Sequence, residues 1–241
     1  MAGLWILGLL LVIAALPVLL VYLWFRVRRF PMPSWWFLLS LLAGAFSLLI
    51  AALLQWLFFR TGVDTGGGFS PRDGMGTFFF TVFIRIALTE ETGRVLALGL
   101  LFRLGRSGKG GLPLSRSKDT GRTGSFEEGT LLQTLGGATG LVAGLGFALI
   151  ESASYGAADI MIALLRACTA APLHGACGAR IGMGMLGFKA GPYRVLWRLL
   201  SAVIIHGMYN LMVISPGIPP LLPILIAFSS FFTAMHVIHR F

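Results

Sequence analysis

Apolar residues run along this chain in seven long blocks, and basic residues gather in the intervals between them. The blocks are Ala2–Phe25, Trp35–Phe59, Thr77–Phe102, Thr130–Tyr155, Ile160–Met185, Val195–Ile214 and Leu221–Val237. About 20 apolar residues wound as a helix cross a hydrocarbon layer about 30 Å thick, and only closed hydrogen-bonding structures survive there. The pattern therefore predicts an all-α fold, a polytopic membrane helical bundle of about seven transmembrane helices, as one domain over residues 1–241. Trp35, Trp36 and Trp56 sit near the ends of the second block, as interfacial anchors do. No internal repeat of the kind that marks transporters is present, and no second domain.

Composition agrees: 56% of residues are hydrophobic, 12% are charged and mean hydropathy is +0.86, against roughly 25% charged in a globular domain. The net charge of +10 would suggest nucleic acid for a soluble protein. Here the cations lie beside apolar blocks and read as topology signals, with anionic lipid at the cytoplasmic face as the expected partner and no nucleic acid. Arg26, Arg28 and Arg29 follow the first block; Arg103, Arg106, Lys109, Arg116, Lys118 and Arg122 fall in a Gly- and Ser-rich loop over 103–129; Lys189, Arg194 and Arg198 flank the sixth block; Arg240 follows the seventh. All then face one side, which places the N-terminus and the loop Arg60–Gly76 extracytoplasmic, and loop 103–129 and the C-terminus cytoplasmic, in a multi-pass protein of the cell membrane. Charges follow the first block with no small-residue cleavage site, so it reads as an uncleaved anchor. Cys168 and Cys177 lie nine apart on one expected span, on roughly opposite faces, and imply neither a disulfide nor a thiolate metal site.

Against this background the ionisable residues inside the blocks stand out. Each charge at the bilayer centre costs about 2.5–3.5 kcal/mol on the insertion scale, yet the third block carries Glu90, Glu91 and Arg94, the fourth Glu151, the fifth Arg166 and His174, and the sixth His206 with Asn210. On a helix Glu90 and Arg94 are one turn apart and are expected to pair, while Glu91 points about 100° away and needs another partner. Phe147 with Glu151, His174 with Gly178, and His206 with Asn210 are each spaced by four and share a face. With the spans alternating in direction, these groups are expected to meet between mid-depth and the outer leaflet, around a water-accessible cavity. Arg85 and Arg166 read as snorkelling or carboxylate-paired, and Phe147, Gly136, Gly137, Gly140, Gly144, Gly146 and Gly178 as packing residues. Pro172 is expected to bend the fifth span.

Carboxylates and imidazoles around a wet pocket can activate water, with a Glu as base and a His or Asn donating to the oxyanion. Zinc is the alternative, held by His174, His206 and Glu151. No metal is favoured, because Glu90 and Glu91 cannot both face one ion from a regular helix. There is no HExxH, no GxSxG and no paired intramembrane Asp, so zincin, serine and aspartic designs are unsupported. Two other classes fit the same residues: a catalytically silent scaffold or binding subunit, and a proton-coupled transporter.

Four motifs in order, EETGR (Glu90–Arg94), FALIE (Phe147–Glu151), HGACG (His174–Gly178) and HGMYN (His206–Asn210), resemble the pattern EExxK, FxxxE, HxxxG and HxxxN or HxxxD of the PrsW family of intramembrane proteases, which is related to the CAAX prenyl endopeptidases and bacterial Abi proteins. Arg94 stands where the family usually has Lys, with the charge kept. The resemblance implies cleavage of a membrane protein substrate with a transmembrane segment, in the best-known case an anti-sigma factor. It assigns Glu90 and Glu91 to water activation, Glu151 and His174 to the same site, His206 and Asn210 to oxyanion stabilisation or ligation, and Arg94 to orienting the carboxylates. The motifs leave open whether a metal or glutamate alone carries the chemistry.

Overall fold

A computed structural model describes residues 2–59, 74–107, 125–156, 159–186 and 191–239, and every regular element among them is helical. The helices are α1 (Ala2–Val27), α2 (Ser34–Phe59), α3 (Met75–Phe79), α4 (Thr89–Ser107), α5 (Ser125–Gly156), α6 (Ile160–Cys168), α7 (Ala170–Met185), α8 (Pro192–Ile214) and α9 (Leu221–His239); a π-helical segment, Phe80–Leu88, joins α3 to α4 without a break. Six stretches are long and apolar enough to cross a membrane: most of α1, α2, α5, α6 with α7, α8 and α9. The protein is an all-α polytopic membrane bundle. The helix that carries the glutamate pair is the exception, since α4 alone holds Glu90, Glu91, Arg94, Arg103 and Arg106. It is held by its neighbours.

The bundle is built around α5. Its apolar stretch is 83% buried, whereas those of α1, α2, α8 and α9 are only 28–33% buried and turn large side chains such as Leu20, Leu49, Trp197 and Phe232 outward, where lipid covers them at no hydrophobic cost. Glycine lets α5 sit so deep. Gly136, Gly140 and Gly144 face the main chain of α7 at Gly182, Gly178 and His174, and a Cβ at any of the three would overlap a backbone carbonyl across the interface. On the other side Gly146 meets Leu41 of α2, and Gly44 of α2 meets Ala143. Small residues thus bring three backbones into contact, the way membrane helices gain dispersion energy when burial offers none. Trp36 adds a buried cross-link, its Nε1 donating to Thr139 Oγ1 at 2.9 Å.

Several boundaries differ from the sequence expectation. Arg103–Ser107 continues α4 and Ser125–Gly129 begins α5, so the expected loop 103–129 narrows to 108–124, which lies outside the described residues. Of the expected loop Arg60–Gly76, residues 60–73 lie outside them too, while Met75 and Gly76 are helical. The fifth span breaks at Thr169 (φ −122°, ψ −60°), three residues ahead of Pro172. Proline has no N–H to give to the carbonyl four residues back, so the irregularity falls in the preceding turn. There Thr169 Oγ1 donates to Leu165 O at 2.7 Å and meets the Tyr209 hydroxyl of α8 at 2.8 Å, which keeps the break satisfied in an apolar setting. The same break puts Cys168 and Cys177 on different helices, both as free thiols.

Candidate active site

The first turn of α4 approaches α2 closely because Gly93 faces Ser47 O and Ala51, and a Cβ there would lie only 2.7 Å from that oxygen. With this face fixed, Glu91 and Arg94 point into the bundle and Glu90 turns toward α8. Arg94 and Glu91 form an ion pair with neither side chain exposed. The expected partner for Arg94 was Glu90, and the structure corrects it. The guanidinium is drawn over the Phe147 ring of α5, 4.8 Å from its centroid, and donates to His174 Nδ1 of α7 at 3.2 Å. Both contacts lie on the Glu91 side of the helix, and three residues back is as close on a helix as four.

His206 of α8 completes this half. Its Nδ1 is 2.8 Å from Glu91 Oε1 and its Nε2 is 3.7 Å from Glu90 Oε2. An ionised carboxylate only accepts, so Nδ1 carries the proton and the Nε2 lone pair is turned toward Glu90, the usual way a carboxylate fixes a working imidazole. Beside it, Gly207 leaves room for the Phe83 ring of the π segment. The extra residue per turn in that segment is a common device for aiming side chains at functional sites.

The second half centres on His174. Arginine only donates, so His174 Nδ1 accepts from Arg94 and Nε2 carries the proton, 2.9 Å from Glu151 Oε2 in an ion-pair contact. The same Glu151 oxygen lies 2.5 Å from Arg166 NH2 of α6, and Arg166 stacks over Tyr155, 4.3 Å from its centroid. Glu151 and Arg166 retain 15% and 20% exposure against 2% for either histidine, so this is the more open end. The halves meet where the His174 and His206 rings stand edge to face, 4.8 Å apart.

Four helices therefore bring together Glu90, Glu91, Arg94, Glu151, His174 and His206. Asn210 lies one turn beyond His206, half-buried, and has no hydrogen-bond partner among the described residues. Arg166 joins the cluster as a carboxylate partner, one of the two roles its sequence allowed. Arg85 contributes only its carbonyl, which accepts from Thr89 Oγ1 at 2.6 Å.

Five buried side-chain atoms have no hydrogen bond among the described residues: Glu90 Oε2, Arg94 Nε, Glu151 Oε2, Ser152 Oγ and Arg166 Nε. Donor atoms of Glu90, His174 and His206 lie within 4.8 Å of one another, and ligands about 2.0–2.2 Å from a tetrahedral zinc sit roughly 3.3–3.5 Å apart. The residues fit a divalent metal after a small contraction, with Glu90 and His206 offering open donors and His174 giving up one of its two partners. Glu151, expected in a zinc set, is instead tied to His174 and Arg166.

A family model described as PrsW family intramembrane metalloprotease matches residues 32–237, which span all four motifs. No curated protein and no solved structure matches.

Proposed function

The chain belongs to the PrsW family of intramembrane metalloproteases, and on that premise we propose that it cleaves membrane-embedded or membrane-anchored substrates at the Glu90, His174 and His206 cluster. The observation that carries this reading is the buried, unpartnered Glu90 Oε2 facing His206 Nε2. It is an unsatisfied acceptor in a place where each such group costs about 1–3 kcal/mol, and a water bound there satisfies it.

Glu90 takes the proton from that water as it attacks the scissile carbonyl. Glu91 holds His206 with its proton on Nδ1 and is itself held by Arg94, so it orients and does not act as the base. His206 receives the proton through Nε2 and passes it to the leaving amine. His174, which carries its proton on Nε2 against Glu151, donates to the developing oxyanion by turning that N–H away from Glu151, and Arg166 keeps Glu151 in place. A resident divalent metal would be held by Glu90, His174 and His206, and when bound supplies Lewis acidity and a more acidic water. That second reading is favoured by the clustered donors and by the family's description. The substrate is a membrane protein with a transmembrane segment, as in regulated cleavage of an anti-sigma factor, and the N-terminus is extracytoplasmic.

The experiment is Glu90→Gln, assayed on single-span candidate substrates with metal analysis of the same purified protein. Turnover falls about two orders of magnitude or more, while thermal stability holds because a neutral amide is cheaper to bury than an ion. Stoichiometric metal in the wild type that is lost in the variant assigns Glu90 as a ligand; full activity in a metal-free wild type assigns it as the base. Unchanged cleavage by the variant refutes both.

A further inference from the structure

Nine residues of the chain are acidic, and the side chains described among them are Glu90, Glu91, Glu151 and Asp159. All four are committed, three in the site and Asp159 as the cap of α6, its Oδ1 accepting from Met161 N at 2.8 Å. At the end of α7 away from His174, three half-buried arginines meet without a carboxylate among the described residues. Arg180 of α7 ties that helix to α9: NH1 donates to Ala176 O at 3.2 Å and Ser230 O at 3.3 Å, and NH2 to Thr233 Oγ1 at 3.3 Å. Arg198 of α8 lays its stem where Gly184 has no side chain, its Cγ 3.0 Å from the place a Cβ would take. Arg194 lies one turn before it, and among the described residues the charged groups that act on Arg198 are Arg194 and Arg180, both cations.

Two carbonyl oxygens and one hydroxyl take three of the five N–H donors of Arg180 and leave its charge. The C-terminal end of α7 supplies about half a negative charge, against three positive ones. By helical rise Arg180 and Arg198 sit about 7–9 Å inside the ends of their helices, the depth at which headgroups give way to acyl chains. The same turns carry exposed Trp197, Leu200 and Phe232, an apolar surface on which a chain can lie.

We propose that Arg180, Arg194 and Arg198 form a binding site for the phosphate of an anionic phospholipid in the groove between α7, α8 and α9. The phosphate accepts from guanidinium donors that no oxygen of the described residues uses, and its acyl chains run along α8 and α9. A lipid seated there braces α7 against α9 two turns from His174.

The test is native mass spectrometry of the full chain released from detergent with phosphatidylglycerol or phosphatidylcholine added. The wild type retains one phosphatidylglycerol in preference to phosphatidylcholine. Each cation at a membrane surface contributes about a fivefold preference, so Arg180→Gln/Arg198→Gln lowers it about twenty-fivefold, Arg180→Lys/Arg198→Lys keeps most of it, and Arg28→Gln/Arg29→Gln, in the basic turn after α1, leaves it unchanged. Should the glutamine pair not fold, Arg194→Gln alone decides, with a fivefold loss in support and no loss against. Equal retention of the two lipids by the wild type, or an undiminished preference in the folded glutamine pair, overturns the site. Thermal stabilisation by inorganic phosphate equal to that by phosphatidylglycerol overturns its assignment to a lipid.

Discussion

Replacing Arg94 by Met removes a cation from the centre of the bundle and leaves Glu91 without its ion-pair partner. Neither side chain is exposed, so no water rescues the carboxylate, and breaking a buried pair by deleting one partner costs about 3–5 kcal/mol. That is a large part of a typical stability of about 5–15 kcal/mol. The double variant Arg94→Met/Glu91→Leu removes the stranded charge as well. What it loses is the hydrogen bond to His206 and the one to His174, each about 1–3 kcal/mol where a buried partner is left unsatisfied, while apolar replacement of a buried ion pair is itself often neutral. The double variant is therefore expected to be more stable than Arg94→Met alone by about 2 kcal/mol. Reversible unfolding in mixed micelles measures all members of the cycle. Cleavage is lost in the members that lack Glu91, because His206 there has no carboxylate to fix its proton on Nδ1. If the double variant costs the sum of the two single ones, the pair is not coupled and the account of how α4 is neutralised is wrong.

Gly140→Val places three carbons where the Gly178 carbonyl stands; α5 and α7 separate, stability falls by about 1–3 kcal/mol or more, and cleavage falls with it, whereas Gly99→Val, which faces open space, leaves melting unchanged. Arg166→Gln lowers turnover about tenfold by loosening Glu151, with Arg166→Lys restoring part of it, and changes stability by only about 1 kcal/mol because the pair is partly wet; equal stability loss and no effect on turnover would make Arg166 structural. Single cysteines in residues 108–124 are expected to resist impermeant reagents in sealed cells, and labelling from outside would invert the topology.

The helical bundle was legible because lipid demands long apolar helices, while boundaries at Arg103–Ser107 and Ser125–Gly129 were not, helix continuing there where the charge pattern read as loop. That Glu90, Glu91, Arg94, Glu151, His174 and His206 would meet was legible because ionisable groups inside those spans have few benign explanations, whereas Asn210, tied to His206 by fourfold spacing, has no hydrogen-bond partner among the described residues. The partner of Arg94 was not legible. Periodicity says which residues share a face and leaves open which neighbour that face meets, and Arg94 chose Glu91 because Phe147 and His174 lie on that side. The break at Thr169 was placed three residues late for a similar reason, since Pro172 marks a weakened turn and the hydroxyl contact to Tyr209 decides where it yields. The π segment carried no sequence signal, and the glycines of α5 read as packing without revealing that three of them meet the main chain of α7 and one meets α2.

The charge carried by α4 also bears on how the protein is made. This helix is too polar to enter the bilayer on its own hydropathy, and it is synthesised before most of the groups that accept it: Phe147, His174 and His206 follow in the chain, the last 112 residues after Arg94. At about 5–20 residues per second that is an interval of roughly 6–22 s, during which Glu91 and Arg94 have only each other. A salt bridge within one helix, three residues apart, is available from the moment the turn forms. The segment therefore waits, self-neutralised, at the insertion machinery or the interface until α5, α7 and α8 arrive. Chains truncated after α5 should leave α4 extractable by alkaline carbonate, and full-length chains should not.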